Sequence, residues 1–121
     1  MNILALDDSP YILEMLEMVI TTINKTPILA DLPSIALKVL ETQKVDLIIS
    51  DINMPEMTGI QFGHLLREKK IFIPIIYYSS EVGAKKAYSK ELEKIGKSIL
   101  IDKDAPIEKL INTIHQYSSK N

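Results

Sequence analysis

The stretch VDLIISD, residues 45–51, decides the fold, and it runs directly into INMPEMTG, residues 52–59. A short, almost unbroken apolar run that ends in a carboxylate and a turn is typical of a buried parallel strand. Such a strand delivers its last side chain to the carboxyl edge of a sheet, where open α/β sheets bind their ligands. Asp51 is therefore the first candidate for chemistry in this chain.

Four other short apolar runs have the composition of buried strands, namely residues 3–6, 28–30, 74–78 and 99–101. Segments with apolar residues at helical spacing separate these runs. We predict helices from Ser9-Pro10 to about Thr22, from a Ser34 cap, from Thr58-Gly59, over residues 82–95 and from Pro106 onward. The residues expected to face the core are Ile12, Met15, Leu16, Val19 and Ile23; Ile35, Ala36, Val39 and Leu40; Phe62, Leu65 and Leu66; Ala84, Ala87, Tyr88, Leu92 and Ile95; and Ile107, Leu110, Ile111 and Ile114.

Five strands alternate with five helices along the chain, and this order favours a parallel sheet covered by helices on both faces. The sequence therefore predicts an α/β fold with a doubly wound five-stranded parallel sheet. A length of 121 residues without an internal repeat predicts one domain over residues 1–121.

Composition excludes several classes of protein. The net charge of -2 comes from mixed signs, so we expect no general attraction to nucleic acid or to a membrane surface. Cysteine is absent, which excludes disulfides and thiol chemistry. No apolar run approaches the ~20 residues of a membrane helix, and strand-like sequence begins at residue 2, which leaves no targeting peptide. We expect a soluble, cytoplasmic protein.

Polar residues stand where the predicted strands end: Asp7 and Asp8 after the first, Asp51 after the third, Ser79 after the fourth and Lys103 after the fifth. Because parallel strands end at one edge, all five should converge there. Two carboxylates about 4 Å apart repel by about 4 kcal/mol at an effective dielectric constant of 20, so the cluster needs a cation. Oxygen ligands with room for water suit Mg²⁺.

Each of these residues also has an ordinary structural interpretation. The Asp7-Asp8 pair with Ser9-Pro10 is a common helix cap, Asp51 could begin a turn, and Ser79 could cap a helix. Lysines such as Lys103 are exposed in most proteins. The joint occurrence of these residues at four strand ends favours a common site over four independent coincidences.

The chain resembles the receiver domains of bacterial two-component response regulators over essentially its whole length. The resemblance rests on the Asp7-Asp8 pair, the Asp51 to Gly59 segment with Met54-Pro55, the Ser79-Ser80 step and Lys103 after a fifth strand. It implies a flavodoxin-like sheet of strand order 2-1-3-4-5. It also implies a phosphoacceptor that catalyses only its own phosphorylation and dephosphorylation.

The resemblance assigns roles to the residues at the sheet edge. Asp8 and Asp51 would bind Mg²⁺ directly, Asn53 would add its backbone carbonyl, and Asp7 would act through a bound water. Asp51 would accept the phosphoryl group from a histidine kinase or phosphotransfer protein. The change would reach a downstream protein or output domain through the fourth helix, the fifth strand and the fifth helix.

Two further residues at the sheet edge complete the implied chemistry. Ser79 and Lys103 would stabilise the transferring phosphoryl group.

Two positions depart from the family pattern. Receivers usually carry an aromatic residue where this chain has Leu100, and a proline where it has Asp104. Glu81, together with Asn53, resembles the pair found in chemotaxis-type receivers.

Three other classes of protein stay open from the sequence alone. A phosphatase of the haloacid dehalogenase type also uses an aspartyl phosphate, but its nucleophile comes first and a second Asp stands where this chain has Asn53. A flavodoxin-like cofactor module would need a phosphate-binding loop where this chain has Asp7-Asp8. A degenerate receiver that serves only as a scaffold is the third alternative.

Overall fold

A five-stranded parallel sheet forms the centre of the protein in a computed structural model that describes residues 1–118. Its strands are β1 (Asn2–Leu6), β2 (Thr26–Ala30), β3 (Leu47–Ser50), β4 (Ile75–Ser79) and β5 (Ser98–Asp102). Their order is β2-β1-β3-β4-β5, which confirms the predicted doubly wound α/β fold. The predicted domain of residues 1–121 includes three residues, 119–121, that lie outside the described part of the chain.

Helices cover both faces of this sheet: α1 (Pro10–Thr22), α2 (Pro33–Thr42), α3 (Gly59–Glu68), α4 (Ala84–Ala87), α5 (Ser89–Ile95) and α6 (Ile107–Ser118). Successive strand side chains point to opposite faces, so the core has two halves. Leu4 and Ile48 pack with the helices α2 to α5, whereas Ile3 and Ile49 pack with α1 and α6. None of the helices within residues 1–118 has both the length and the apolar character to span a bilayer.

The predicted fourth helix over residues 82–95 is wrong, because the structure has two short helices there. Gly83 adopts a left-handed conformation with φ 76°, so α4 begins only after it and Val82 stays 98% exposed. Tyr88 lies between α4 and α5 with φ −105° and ψ 10°, outside helical geometry. Ala87, which was expected to face the core, is exposed.

The predicted start of the second helix is also wrong. Helix α2 begins at Pro33 with Leu32 in the capping position, so Ser34 is already inside the helix and caps nothing. Ile35 is 40% exposed rather than inward-facing, whereas Ala36 is fully buried as expected. Because Pro33 is preorganised for the first helical position, it sets the helix start two residues earlier than a Ser34 cap would.

Arg67 joins three segments at the end of α3, although no pattern in the sequence singled it out. Its guanidinium donates hydrogen bonds to the carbonyls of Ile95, Ile71, Ile73 and Gly96 at 2.8, 2.8, 3.0 and 2.9 Å. The planar fork of arginine therefore satisfies carbonyls at the end of α5 and in the segment before β4.

We expect Arg67→Met to destabilise the protein by about 2 kcal/mol, because it keeps an apolar stem but leaves these carbonyls without their charged donor. Thermal unfolding measures the effect, with Lys69→Met at an exposed neighbouring position as the matched control. Arg67→Lys should recover only part of the loss, since lysine lacks the planar fork. Equal melting temperatures for Arg67→Met and Lys69→Met would contradict this role.

Candidate functional site

Two buried aspartates stand at the carboxyl edge of the sheet because each follows a central strand. The Asp51 N–H donates to the Leu6 carbonyl at 2.9 Å, and the Asp7 N–H donates to the Ala30 carbonyl at 3.2 Å. These bonds continue the strand pairing by one residue and fix both backbones. The Asp7 and Asp51 side chains are therefore held close together by the sheet itself.

Asp8 completes an acidic cluster with these two residues. One carboxylate oxygen from each of Asp7, Asp8 and Asp51 lies within 4.8 Å of the others. Asp7 and Asp51 are buried, whereas Asp8 is exposed and leaves the cluster open to solvent on one side. Oxygen-only donors with one open side match the preference of Mg²⁺, which keeps several of its waters.

Lys103 brings the positive charge that the sequence predicted for this edge. Its Nζ lies 2.9 Å from Asp7 Oδ2 and 3.5 Å from Asp51 Oδ1. Its backbone N–H donates to the Ser79 carbonyl at 2.9 Å, which fixes the segment after β5 against the end of β4. The Tyr78 ring adds a cation-π contact, with its centroid 6.0 Å from Nζ.

The electrostatics of the cluster oppose ionisation of Asp51. Burial raises the pKa of the Asp51 carboxyl, and the nearby Asp7 charge raises it further. The Lys103 ammonium and the hydrogen bond from the Ile52 N–H at 2.8 Å act in the opposite direction on this pKa. A bound cation would relieve the same repulsion.

Ser79 lies at the end of β4 with 2% of its surface exposed. Its Oγ accepts a hydrogen bond from the Glu81 N–H at 3.1 Å, which keeps the hydroxyl proton available for another acceptor. The sheet thus places a buried hydroxyl donor beside the segment that carries Lys103.

Asn53 is exposed in the loop that follows β3, and its side chain turns toward the neighbouring loop. Its Nδ2 donates to Glu81 Oε1 at 3.0 Å, and the same oxygen accepts from the Tyr88 hydroxyl at 3.0 Å. Sequence reasoning identified Asn53 and Glu81 but treated Tyr88 as a core residue. The break between α4 and α5, which no sequence pattern indicated, places Tyr88 in this chain of hydrogen bonds.

Gly59 closes the loop between β3 and α3 against the site. Its N–H donates to the Ile52 carbonyl at 2.7 Å, and its carbonyl accepts from the Tyr77 hydroxyl at 2.8 Å. A Cβ at this position would lie 2.1 Å from the Asp51 carbonyl oxygen, which no side chain can tolerate. Glycine is therefore required by the close approach of α3 to the end of β3.

Removal of the Asp51 charge should stabilise the metal-free protein. Because the folded pKa of Asp51 is raised, the folded state binds its proton more tightly than the unfolded state does. The resulting penalty is present above the folded pKa, diminishes as pH falls through it and is gone below the unfolded pKa. We expect Asp51→Asn to gain about 1 kcal/mol in EDTA at pH 7, or roughly 4 °C in melting temperature.

Thermal unfolding with and without Mg²⁺ checks this expectation, with Asp31→Asn at an exposed position as the charge control. Mg²⁺ should raise the melting temperature of the unaltered protein more than that of Asp51→Asn, since the substitution replaces one carboxylate of the acidic cluster with an amide. A destabilised Asp51→Asn in EDTA would show that the carboxylate cluster is not under electrostatic strain.

Comparison with known proteins gives the same family from sequence and from structure. The family described as "Response regulator receiver domain" matches residues 3–115. The transcriptional regulatory protein GlrR of Escherichia coli (strain K12) is 26% identical over 117 residues, which cover 95% of this chain and 26% of GlrR. The chain therefore spans about a quarter of the length of this curated relative.

Two solved structures are similar to nearly the whole chain. The chemotaxis response regulator CheY4 of Vibrio cholerae has a TM-score of 0.84 and 28% identity, covering 96% of this chain and 97% of CheY4. The response regulator TrrA of Thermotoga maritima was solved in complex with Mg(2+)-BeF. It has a TM-score of 0.82 and 25% identity, covering 96% of this chain and 97% of TrrA.

Proposed function

Because this chain belongs to the family of response regulator receiver domains, we propose that it is a phosphoacceptor of a two-component signalling system and that Asp51 carries the phosphoryl group. One observation carries the proposal: a buried aspartate at a strand end lies 3.5 Å from a lysine ammonium and within 4.8 Å of two further carboxylates. Phosphoryl transfer requires a nucleophile held in a fixed position and neutralisation of the charge on the transferring phosphoryl group.

The acidic cluster fits the magnesium ion that the family implies, because all its donors are oxygens and one side is open. Asp8 and Asp51 would hold the ion directly, Asp7 would act through a water, and Asn53 would contribute its backbone carbonyl. Bound Mg²⁺ would neutralise charge on the phosphoryl oxygens. The Mg(2+)-BeF complex of TrrA supports this assignment by analogy.

The transfer itself needs little chemistry from the protein. One Asp51 oxygen would form a bond to phosphorus while the bond from phosphorus to the donor breaks, and the leaving group would take that electron pair. Asp51 attacks as a carboxylate, so no proton has to be removed, and Lys103 favours this ionised form. The Lys103 ammonium and the Ser79 hydroxyl would then donate to the phosphoryl oxygens.

The partners are part of the proposal. A histidine kinase or phosphotransfer protein would supply the phosphoryl group, and a downstream protein or output domain would read the change on the face of α4, α5, β5 and α6. We propose no direct contact with nucleic acid, no activity beyond self-phosphorylation and self-dephosphorylation, and a cytoplasmic location. These statements rest on membership of the receiver family.

The rival functions receive less support. The family match over residues 3–115 favours a receiver over a phosphatase of the haloacid dehalogenase type. The position where that class has a second catalytic Asp holds Asn53, whose amide is bonded to Glu81. A scaffold without phosphorylation would not require the contacts of Lys103 with both Asp7 and Asp51.

Intact-mass analysis after incubation with acetyl phosphate and Mg²⁺ tests the proposal. We expect one phosphoryl adduct, stable in acid and labile in base as an acyl phosphate should be, and we expect it to depend on Mg²⁺. Asp51→Asn should form none, whereas Asp31→Asn should behave like the unaltered protein. An equal adduct on Asp51→Asn would refute the assignment.

A further inference from the structure

The loop between β3 and α3, residues 52–58, carries Asn53 and is fixed at its base. The Gly59 N–H to Ile52 carbonyl bond of 2.7 Å joins the two ends of the loop. Between these ends, the backbone bond from the Met57 N–H to the Pro55 carbonyl at 2.9 Å only shapes the turn. Apart from the bond of the Asn53 amide to Glu81 at 3.0 Å, the position of the Asn53 backbone therefore depends on how the tip of the loop is held.

Glu56 stands at this tip in an unusual conformation. Its φ of 74° lies in the left-handed region, where a side chain is disfavoured and glycine is the usual residue. An interaction of the side chain can offset part of the cost of this conformation. The carboxylate of Glu56 provides one.

The Glu56 carboxylate binds Ser34 with both of its oxygens. Oε1 accepts a hydrogen bond from the Ser34 N–H and Oε2 accepts one from the Ser34 hydroxyl, each at 2.9 Å. Leu32, the capping residue of α2, offers no side-chain bond of its own. Glu56 thus satisfies a free N–H in the first turn of α2 and places a negative charge at the helix end that favours it.

We propose that Glu56 is a positioning residue of the phosphoacceptor site: its carboxylate anchors the β3–α3 loop to α2 and so holds the Asn53 backbone carbonyl in place for Mg²⁺. This inference rests on the proposed function, because it assumes that the Asp51 cluster binds the metal. Glu56 itself touches neither the metal site nor a phosphoryl donor. It acts through the backbone of the loop.

The anchor couples α2 to the site. If Mg²⁺ binds more tightly when the loop is anchored, then bound Mg²⁺ stabilises the anchored loop by the same free energy, because coupling between two sites is reciprocal. Mg²⁺ binding should therefore strengthen the Glu56–Ser34 contact, and loss of the contact should weaken Mg²⁺ binding.

Three variants separate the carboxylate from the backbone conformation. Glu56→Gly suits the left-handed backbone but removes both bonds, Glu56→Gln keeps the side-chain length but removes the charge, and Ser34→Ala removes one bond from the other side. Glu93→Gln changes the net charge equally at an exposed site on α5 and is the matched control.

The first measurement is calorimetric titration with MgCl2 alone. We expect the Mg²⁺ dissociation constant to rise about fivefold in Glu56→Gly and by about twofold in Glu56→Gln and Ser34→Ala, in proportion to the charge-assisted bonds lost. Amide hydrogen exchange over residues 52–58 should accelerate in the same order in metal-free protein. Glu93→Gln should match the unaltered protein in both measurements.

The outcomes distinguish this inference from the proposed function. Unchanged Mg²⁺ affinity and unchanged hydrogen exchange in Glu56→Gly would overturn the anchor, because the left-handed backbone alone would then place the loop. That result would leave the proposed phosphorylation of Asp51 standing. Conversely, weakened Mg²⁺ binding in Glu56→Gly without any acetyl phosphate adduct on the unaltered protein would overturn the proposed function and keep the anchor. An equal weakening in Glu93→Gln would reduce the effect to net charge and refute the anchor.

Discussion

Lys103→Met should slow phosphorylation of Asp51 by acetyl phosphate by about a hundredfold or more, the usual cost of removing one preorganised charge stabiliser from a transition state. The Nζ atom lies 3.5 Å from Asp51 Oδ1, so it is placed to neutralise charge that develops on the transferring group. Methionine keeps the length and the apolar stem of lysine but loses the ammonium. The rate of adduct formation by intact mass, at saturating Mg²⁺, measures the effect.

The same substitution should also destabilise the metal-free protein by about 3 kcal/mol, because it removes the cation from a buried ion pair and leaves the Asp7 charge uncompensated. Mg²⁺ should restore much of this loss. Lys90→Met, at an exposed position on α5, controls for the loss of a positive charge. A Lys103→Met variant that reacts as fast as Lys90→Met would show that the ammonium takes no part in the transfer.

Gly59→Ala should destabilise the protein by about 3 kcal/mol, which is the upper end of the range for overpacking. It should also slow phosphorylation of Asp51. The added Cβ would lie 2.1 Å from the Asp51 carbonyl oxygen, and backbone atoms cannot rotate away as a flexible side chain can. Either α3 or the end of β3 must move, and both adjoin Asp51. Melting temperature and the rate of adduct formation should therefore fall together.

Gly83→Ala provides a useful contrast for this prediction. Nothing lies within 4 Å of a Cβ there, so its cost comes only from the left-handed backbone at φ 76°. That cost is about 1 to 2 kcal/mol, without displacement of Asp51. If Gly59→Ala and Gly83→Ala phosphorylate at the same rate, the close approach at Gly59 has no bearing on the site.

The sheet and the meeting of the strand-end side chains could be predicted because the strands are visible in local sequence. Runs such as residues 45–51 identify buried strands without knowledge of any distant residue, and topology then brings the strand ends together. Asp7, Asp51 and Lys103 meet for this reason, although Asp7 and Lys103 are 96 residues apart. The flanking Asp102 and Asp104 form no ion pair with Lys103 within residues 1–118.

The features that escaped prediction depend on pairs of residues that carry no local pattern. Glu56 and Ser34 are 22 residues apart, and Arg67 binds carbonyls up to 29 residues away. A glutamate in a loop or an arginine at a helix end looks ordinary until its partner is known. The break at Tyr88 is similar, because apolar spacing continues through it and predicts one unbroken helix.

The location of the phosphoryl group tests the central claim most directly. After reaction with acetyl phosphate and Mg²⁺, borohydride reduces an aspartyl phosphate to homoserine, and tryptic cleavage after Lys44 and Arg67 isolates residues 45–67. Fragmentation of this peptide should place homoserine at position 51. Reduction at Asp46, or at a residue outside the peptide, would contradict the claim that the sheet edge delivers Asp51 as the phosphoacceptor.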